Sequence, residues 1–240
     1  MKFLNHDLLE AIDPVEFRSR KPYPWVNPQG VLTDEGFRRL CETVPDVSRF
    51  APYFGFPRSH GQAPHDRFVL EYEKRLEVGD AWHQFIAELR APAYQSFLER
   101  MFGRGLLRLA FHWHYTPSGC SVSPHCDAKR KLGSHIFYLN TENDWDASWG
   151  GQTVILDDAG RFERKSAPRF EDFPWFADSE SLGNRSLLFA RRKKSWHGVR
   201  EIQAPEGRYR KVFIVVVEDW VRSMQHRVMS RLRGKRASSY

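Results

Sequence analysis

The periodicity of the chain changes near residue 105, and that change limits the folds open to it. From there Leu107, Leu109, Phe111, Trp113 and Tyr115 alternate with Arg108, Ala110, His112 and His114. This two-residue repeat belongs to a strand whose two faces meet different surroundings. Further strand candidates follow in HIFYLN, QTVIL, SLLFA and KVFIVVV, separated by Gly150-Gly151 and other turn residues. Upstream the spacing is helical. Thr33 can cap a helix in which Phe37, Leu40, Cys41 and Val44 share a face. Trp82, Phe85, Ile86 and Leu89 repeat the pattern, Pro92 interrupts it, and Tyr94, Phe97, Leu98 and Met101 resume it as far as Gly103. Short strands after a helical half predict a mainly β fold with N-terminal helices, a barrel or sandwich of the jelly-roll kind. The expected organisation is a helical support region over residues 1–105, a β core over 106–220 and a basic tail over 221–240, in one compact domain.

Charge and cysteine content exclude other classes. The net charge is +7, but residues 221–240 carry Arg222, Arg227, Arg231, Arg233, Lys235 and Arg236 and no acid, so the body of the chain is close to neutral. The basic character therefore describes the tail, not a nucleic-acid-binding body, and no nucleic-acid partner is expected. Three cysteines, Cys41, Cys120 and Cys126, without CxxC spacing, indicate neither a disulfide framework nor a thiolate zinc site. The longest apolar run, Val212 to Val217, is too short to span a bilayer, which gives the expectation of a soluble, cytoplasmic protein.

The chemistry begins at His125-Cys126-Asp127. In extended chain, residues i and i+2 project to the same side, so both side chains can meet one ion. A third ligand is available in His197, 70 residues after Asp127 and just beyond the strand candidate SLLFA. Two imidazoles and one carboxylate on one face of a metal leave open positions opposite, the arrangement that non-haem Fe(II) oxygenases use. The HxD motif alone is weak evidence. With ten histidines and one residue in eight acidic, roughly one HxD or HxE is expected by chance.

The neighbouring stretches carry more weight. YTPSGCSVSPHCD, FYLNTENDWDASWGG, SLLFARRKKSWHGV and RYRKVFIVVVEDW together resemble the prolyl hydroxylase-like branch of the Fe(II)- and 2-oxoglutarate-dependent oxygenase superfamily, from about Leu107 to Trp220. The resemblance implies a double-stranded β-helix, a cupin-like jelly roll, that uses Fe(II), 2-oxoglutarate and O2, with ascorbate as a permitted reductant. It implies His125, Asp127 and His197 as the metal ligands. It also implies that Arg210 pairs with the distal carboxylate of 2-oxoglutarate, which a guanidinium fork matches; Arg208, two residues away, is the competing candidate. Tyr115, ten residues before His125, and Tyr138 match family tyrosines that hydrogen-bond the same co-substrate. Where the family often has Ser or Thr two residues after the arginine, this chain has Val212.

Other features admit two readings. His112 and His114 either line a pocket or sit on the outer sheet face, the second being the expectation; His135, three residues before Tyr138, is expected to be structural. Residues 157–183 hold Phe170, Phe173, Trp175 and Phe176 amid charges, as a substrate lid or as aromatics docked on the barrel exterior. Arg191 to Lys194 form a basic run beside His197, expected to be a solvated turn or else a lure for an anionic substrate. In the tail, Val221, Met224, Val228 and Leu232 fall at helical spacing among arginines, a pattern open to contact with an anionic surface.

The expected function is a dioxygenase that hydroxylates an unactivated C–H bond of a small metabolite, a glycan or lipid intermediate, or a peptidyl side chain, with release of succinate and CO2. The retained carboxylate of Asp127 favours hydroxylation over halogenation. A non-catalytic metal-binding barrel that recognises a ligand or partner is the alternative, with a zinc hydrolase on the same ligands a third reading.

Overall fold

The computed structural model describes residues 2–232. Its helices are α1 (His6–Ala11), α2 (Pro14–Ser19), α3 (Asp34–Glu42), α4 (Asp80–Leu89), α5 (Pro92–Phe102) and α6 (Trp220–Leu232). Its strands are β1 (Trp25–Val26), β2 (Ala51–Tyr53), β3 (Arg67–Glu71), β4 (Leu107–Pro117), β5 (Val122–His125) and β6 (Lys131–Tyr138), followed by β7 (Val154–Asp157), β8 (Trp175–Asp178), β9 (Ser186–Ala190), β10 (Trp196–Val199) and β11 (Tyr209–Asp219). Pairing is antiparallel throughout. The major sheet runs β1-β9-β6-β11-β4-β3-β2 and the minor sheet β5-β10-β7-β8.

Local signals account for the helices. The Thr33 hydroxyl accepts the Gly36 N–H at 3.0 Å and caps α3. Pro92 opens α5 at the position where a missing N–H costs nothing, and Gly103 closes it in the left-handed conformation. The apolar faces of α3, α4 and α5 then lie against one face of the major sheet. There Trp82, Phe85, Tyr94, Leu98 and Met101 pack with Phe111, Trp113, Phe137, Phe213, Val215 and Val217. Trp82 meets Trp113 and Phe213 at centroid distances of 5.0 and 5.1 Å.

The opposite face of the major sheet packs on the minor sheet. Ile136, Tyr138, Leu187, Phe189 and Val212 meet Ile155 of β7 there, beside Tyr23 and Trp25. Between the two sheets this interior remains partly open as a cavity.

The N-terminal region departs from its helical expectation. It supplies three strands of the major sheet, β1 at one edge and β3 and β2 at the other. Two- and three-residue strands are too short to show a period, and β3 gains its place from β4, against which Phe68 pairs with Tyr115 and Val69 with His114. The 157–183 segment contains β8 as an edge strand; Phe173 is buried against Val154, Leu156 and Trp196 with Phe162 and Phe170 alongside, while Trp175 and Phe176 are exposed. The aromatics of this segment thus divide, Phe162, Phe170 and Phe173 docking on the barrel.

At the end of β11, the carboxylate of Glu218 accepts from Arg130 Nε at 2.9 Å, from Ser223 Oγ at 2.7 Å and from Arg108, joining the barrel to α6. Trp220, Val221, Met224 and Val228 of α6 are exposed. Arg233, Lys235 and Arg236 of the expected tail lie outside the described residues. Among the described residues no helix is long and apolar enough to cross a membrane.

Phe213 is the central contact between sheet and helices, fully buried against the rings of Trp82, Phe85, Phe111 and Trp113. Phe213→Ala is expected to lower the unfolding free energy by about 3–5 kcal/mol, read as a shift in the urea midpoint at unchanged slope.

Candidate metal and co-substrate site

The minor sheet brings the HxD motif and the distal histidine together. His125 ends β5 and stands opposite His197 of β10 in the strand register, with ring centroids 4.3 Å apart. Asp127 follows in the loop, and the donor atoms of His125, Asp127 and His197 all lie within 4.8 Å of one another. β10 passes close to its neighbours here. A Cβ on Gly198 would lie 2.5 Å from the Val122 carbonyl oxygen and 2.8 Å from the Phe170 ring, so the residue after His197 must be glycine for the strand to lie where it does.

The donors are in the state a divalent metal requires. His125 Nδ1 lies 3.0 Å from the Ser123 carbonyl and His197 Nδ1 3.0 Å from the Ser195 carbonyl. Each Nδ1–H therefore donates to backbone, which leaves Nε2 as the ligand atom. Burial pushes the pKa of both imidazoles down, so they are neutral at ordinary pH. Burial pushes the Asp127 carboxyl up, but Lys131, whose Nζ donates to Oδ1 at 2.9 Å, outweighs it with help from His197, and the pKa falls to about 2. Two neutral imidazoles and an ionised carboxylate, half enclosed at one cavity, fit a first-row divalent ion such as Fe(II).

A cavity of about 240 Å³ opens at these residues, and Arg210, Thr153, His112, His114 and Thr116 also line it. Arg210 starts the inward face of β11 and is buried; its Nε donates to the Gly151 carbonyl and its Nη2 to Thr153 Oγ1 at 3.1 Å. Gly151, at φ +91°, allows this approach: a Cβ there would stand 3.2 Å from the arginine side chain. The Tyr138 hydroxyl donates to Thr153 Oγ1 at 2.9 Å and lies 2.6 Å from Ser179 Oγ, and the Arg210 guanidinium sits 5.6 Å from the Tyr138 ring centroid. Val212, where a hydroxyl residue was looked for, is buried beside Tyr138, and Thr153 of the adjoining minor sheet presents the hydroxyl to Arg210 instead.

Two expected co-substrate residues are elsewhere. Arg208 is exposed in the turn before β11, so it does not share the inward face of Arg210. Tyr115 points away from the cavity into the helix-covered core, its ring 4.2 Å from that of Phe50 and its hydroxyl donating to the Pro45 carbonyl at 3.0 Å. The reason is strand alternation: Phe111, Trp113 and Tyr115 share the helical face of β4, while His112, His114 and Thr116 share the cavity face. The two histidines thus line the pocket, contrary to their expected place on the outer face. Burial, with Lys131 and Arg67 nearby, pushes the His112 pKa down to about 3.

His135 lies on the helical face as expected, its Nδ1 2.8 Å from the Tyr94 hydroxyl. In the basic run, Lys194 pairs with Asp158 at 3.2 Å and Arg192 and Lys193 are exposed, which makes it a solvated turn. Arg58, His65, Arg67 and Lys131 also line the cavity; the sequence around Arg58 and His65 has neither period nor motif to mark them, and Lys131 reads there only as the end of the run Lys129-Arg130-Lys131.

Comparison with known proteins agrees with this geometry. The chain matches the 2OG-Fe(II) oxygenase superfamily over residues 111–217. It is a 2-oxoglutarate- and Fe(II)-dependent dioxygenase. No curated protein sequence matches it. Among solved structures, a Pseudomonas putida prolyl-4-hydroxylase is 18% identical, with TM-score 0.63 over 88% of this chain and 98% of that one. A Trichoplax adhaerens prolyl hydroxylase, solved with a hypoxia inducible factor oxygen degradation domain peptide, is 14% identical, with TM-score 0.61 over 94% of each chain. The alpha ketoglutarate dependent epimerase SnoN of nogalamycin biosynthesis is 15% identical, with TM-score 0.54 over 89% of this chain and 81% of that one. At these identities the likeness establishes the fold, the double-stranded β-helix with the two sheets described above.

The two tyrosines are separable by experiment. Tyr115→Phe removes only the bond to Pro45 and is expected to cost about 1 kcal/mol of stability with 2-oxoglutarate affinity unchanged. Tyr138→Phe is expected to weaken that affinity severalfold, by calorimetric titration of the two variants side by side.

Proposed function

We propose that this dioxygenase hydroxylates an unactivated C–H bond, with His125, Asp127 and His197 as iron ligands and Arg210 as the anchor for the distal carboxylate of 2-oxoglutarate. The observation that carries the reading is the sharing of one cavity by the three-donor cluster and a buried guanidinium. A buried arginine is costly to desolvate unless an anion or fixed acceptors meet it. Gly151 and Thr153 hold this one in place, and a carboxylate would complete its surroundings.

His125, Asp127 and His197 would hold the iron, which when bound would supply dioxygen activation coupled to oxidative decarboxylation of 2-oxoglutarate to succinate and CO2. The chain's own residues position the reactants and exclude water. Arg210 and Thr153 orient the co-substrate from the closed end of the barrel, with Tyr138 fixing the Thr153 hydroxyl. Lys131 holds one oxygen of Asp127 by its 2.9 Å bond, which favours coordination through the other. The substrate approaches from the open side of the cavity, and a small metabolite, a glycan or lipid intermediate and a peptidyl side chain all remain within its chemistry. Asp127 fills the position that a halide would need, which favours hydroxylation over halogenation. A non-catalytic barrel or a hydrolase on the same three donors would leave the buried guanidinium without a purpose.

Anaerobic titration with Fe(II) and 2-oxoglutarate tests this, by the visible charge-transfer absorption of a chelated oxoacid. The wild-type protein is expected to show the band and His125→Ala to lose it. Arg210→Ala should retain metal but weaken 2-oxoglutarate by roughly 10- to 100-fold, the worth of a charged hydrogen bond. Arg208→Ala should match the wild type. An iron-loaded wild-type protein without the band would defeat the proposal.

A further inference from the structure

The cavity extends past the three-donor cluster to Arg58, His65 and Arg67, all from the segment that precedes the superfamily match. His65 is buried with its ring 4.6 Å from that of His125 and its Nε2 3.0 Å from Ser123 Oγ. Arg67 Nη1 donates to the His65 carbonyl at 2.6 Å, which brings the guanidinium to the same corner. The loop carrying Arg58 is tied to the 157–183 segment, since Gln62 Nε2 donates to the Ser166 carbonyl at 3.1 Å. Arg58 and Arg67 therefore belong to a built wall and not to a free surface loop.

Positive side chains outnumber carboxylates along the cavity lining. Arg58, Arg67, Lys131 and Arg210 line the cavity, and Asp127 is the one carboxylate among the lining residues. Lys131 already engages Asp127. Under the oxygenase reading, the dianion 2-oxoglutarate offsets a bound divalent ion, so neither changes the excess of positive charge. Burial depresses the Arg58 pKa, and the carboxylate charge that opposes this is that of Asp127. Cations held in a half-enclosed cavity lose hydration that an incoming anion restores, and arginine forks suit carboxylate and phosphate oxygens.

We propose that the substrate is an anion whose carboxylate or phosphate docks on Arg58 and Arg67, beside His65, with the carbon to be oxidised directed toward the metal ligands. As a statement about substrate this rests on the oxygenase reading, while the anion site itself stands on the cavity wall alone. It also moves the anion-attracting role from the Arg191–Lys194 run, where Lys194 is paired with Asp158, to the loop before β3.

The test uses protein loaded anaerobically with Fe(II) and saturating 2-oxoglutarate, so that Arg210 is occupied, titrated calorimetrically with benzoate, phenyl phosphate and neutral benzyl alcohol. At least one anion is expected to bind saturably and more tightly than benzyl alcohol, and the tighter of the two names the group. Arg58→Gln and Arg67→Gln should each weaken that anion by about tenfold or more, with 2-oxoglutarate affinity unchanged and Arg58→Lys retaining most of the binding. If Arg67→Gln lowers the melting temperature through loss of its bond to His65, the Arg58 variants decide alone. Equal binding of anion and alcohol, or wild-type anion affinity in Arg58→Gln, overturns the proposal. If 2-oxoglutarate itself does not bind, the oxygenase reading fails separately, and the anion titration repeated on metal-free protein is still scored by Arg58.

Discussion

Every side chain of β4 and β11 must go to one of two faces, and the structure follows from how that choice is held. The two strands pair over eleven residues, from Tyr209 opposite Pro117 to Asp219 opposite Leu107. Phe111, Trp113, Tyr115, Phe213, Val215 and Val217 go under the helices. His112, His114, Thr116, Arg210, Ile214 and Val216 go to the cavity. A one-residue slip would exchange the sets, burying an arginine and two histidines in the helical core and emptying the aromatic cluster around Phe213. The aromatic packing thus does more than stabilise the sheet. It fixes which polar groups face the metal ligands, and it does so from the side of the sheet that has no chemistry.

This also explains which parts of the site were legible in the sequence. The HxD spacing is local, and extended geometry fixes its meaning. His197 was legible because a strand candidate led directly to it, and the sheet register then placed it opposite His125. Tyr115 was misplaced because a count of ten residues to His125 crosses the turn at Ser118–Gly119, and counting through a turn does not preserve which face a side chain takes. The alternation already visible in Leu107 to Tyr115 puts that tyrosine with Trp113 and the neighbouring histidines in the pocket; here the periodicity was the better guide. Arg208 and Arg210 share parity in an ideal strand, but β11 begins at Tyr209, so the parity argument ends one residue short of Arg208. The short strands of the N-terminal region left no periodic trace because their partners, and not their own sequence, make them strands.

The electrostatic character of the cavity was not legible from composition at all. The net charge pointed to the tail, and the basic run before His197 is a turn in which Lys194 is tied to Asp158. The cations that matter, Arg58, Arg67 and Lys131, are far apart in sequence and meet only in the folded cavity. Burial, together with Arg58 and Arg67, pushes the His65 pKa down to about 2. The histidines of the wall are therefore neutral hydrogen-bonding groups, and the positive potential comes from groups that stay charged at any ordinary pH.

A division along the chain follows. The groups suited to metal and co-substrate, His125, Asp127, Tyr138, Thr153, His197 and Arg210, all lie within residues 111–217, the part that matches the superfamily. Arg58, His65 and Arg67 come from the loop and strand β3 before it, held by the 2.6 Å bond from Arg67 to His65 and by the pairing of β3 on β4. The barrel can keep its centre while this region is altered, because β3 is held on β4 by its backbone ladder and by Phe68 and Leu70 packed on the helical core, and these contacts do not involve the side chains at 58, 65 and 67. Under the proposed roles, changes at positions 58, 65 and 67 bear on what enters the cavity, whereas changes at 127 or 210 bear on metal and co-substrate. The fold shared with prolyl hydroxylases and with an epimerase does not choose the substrate, and that choice is left to the residues that line the cavity.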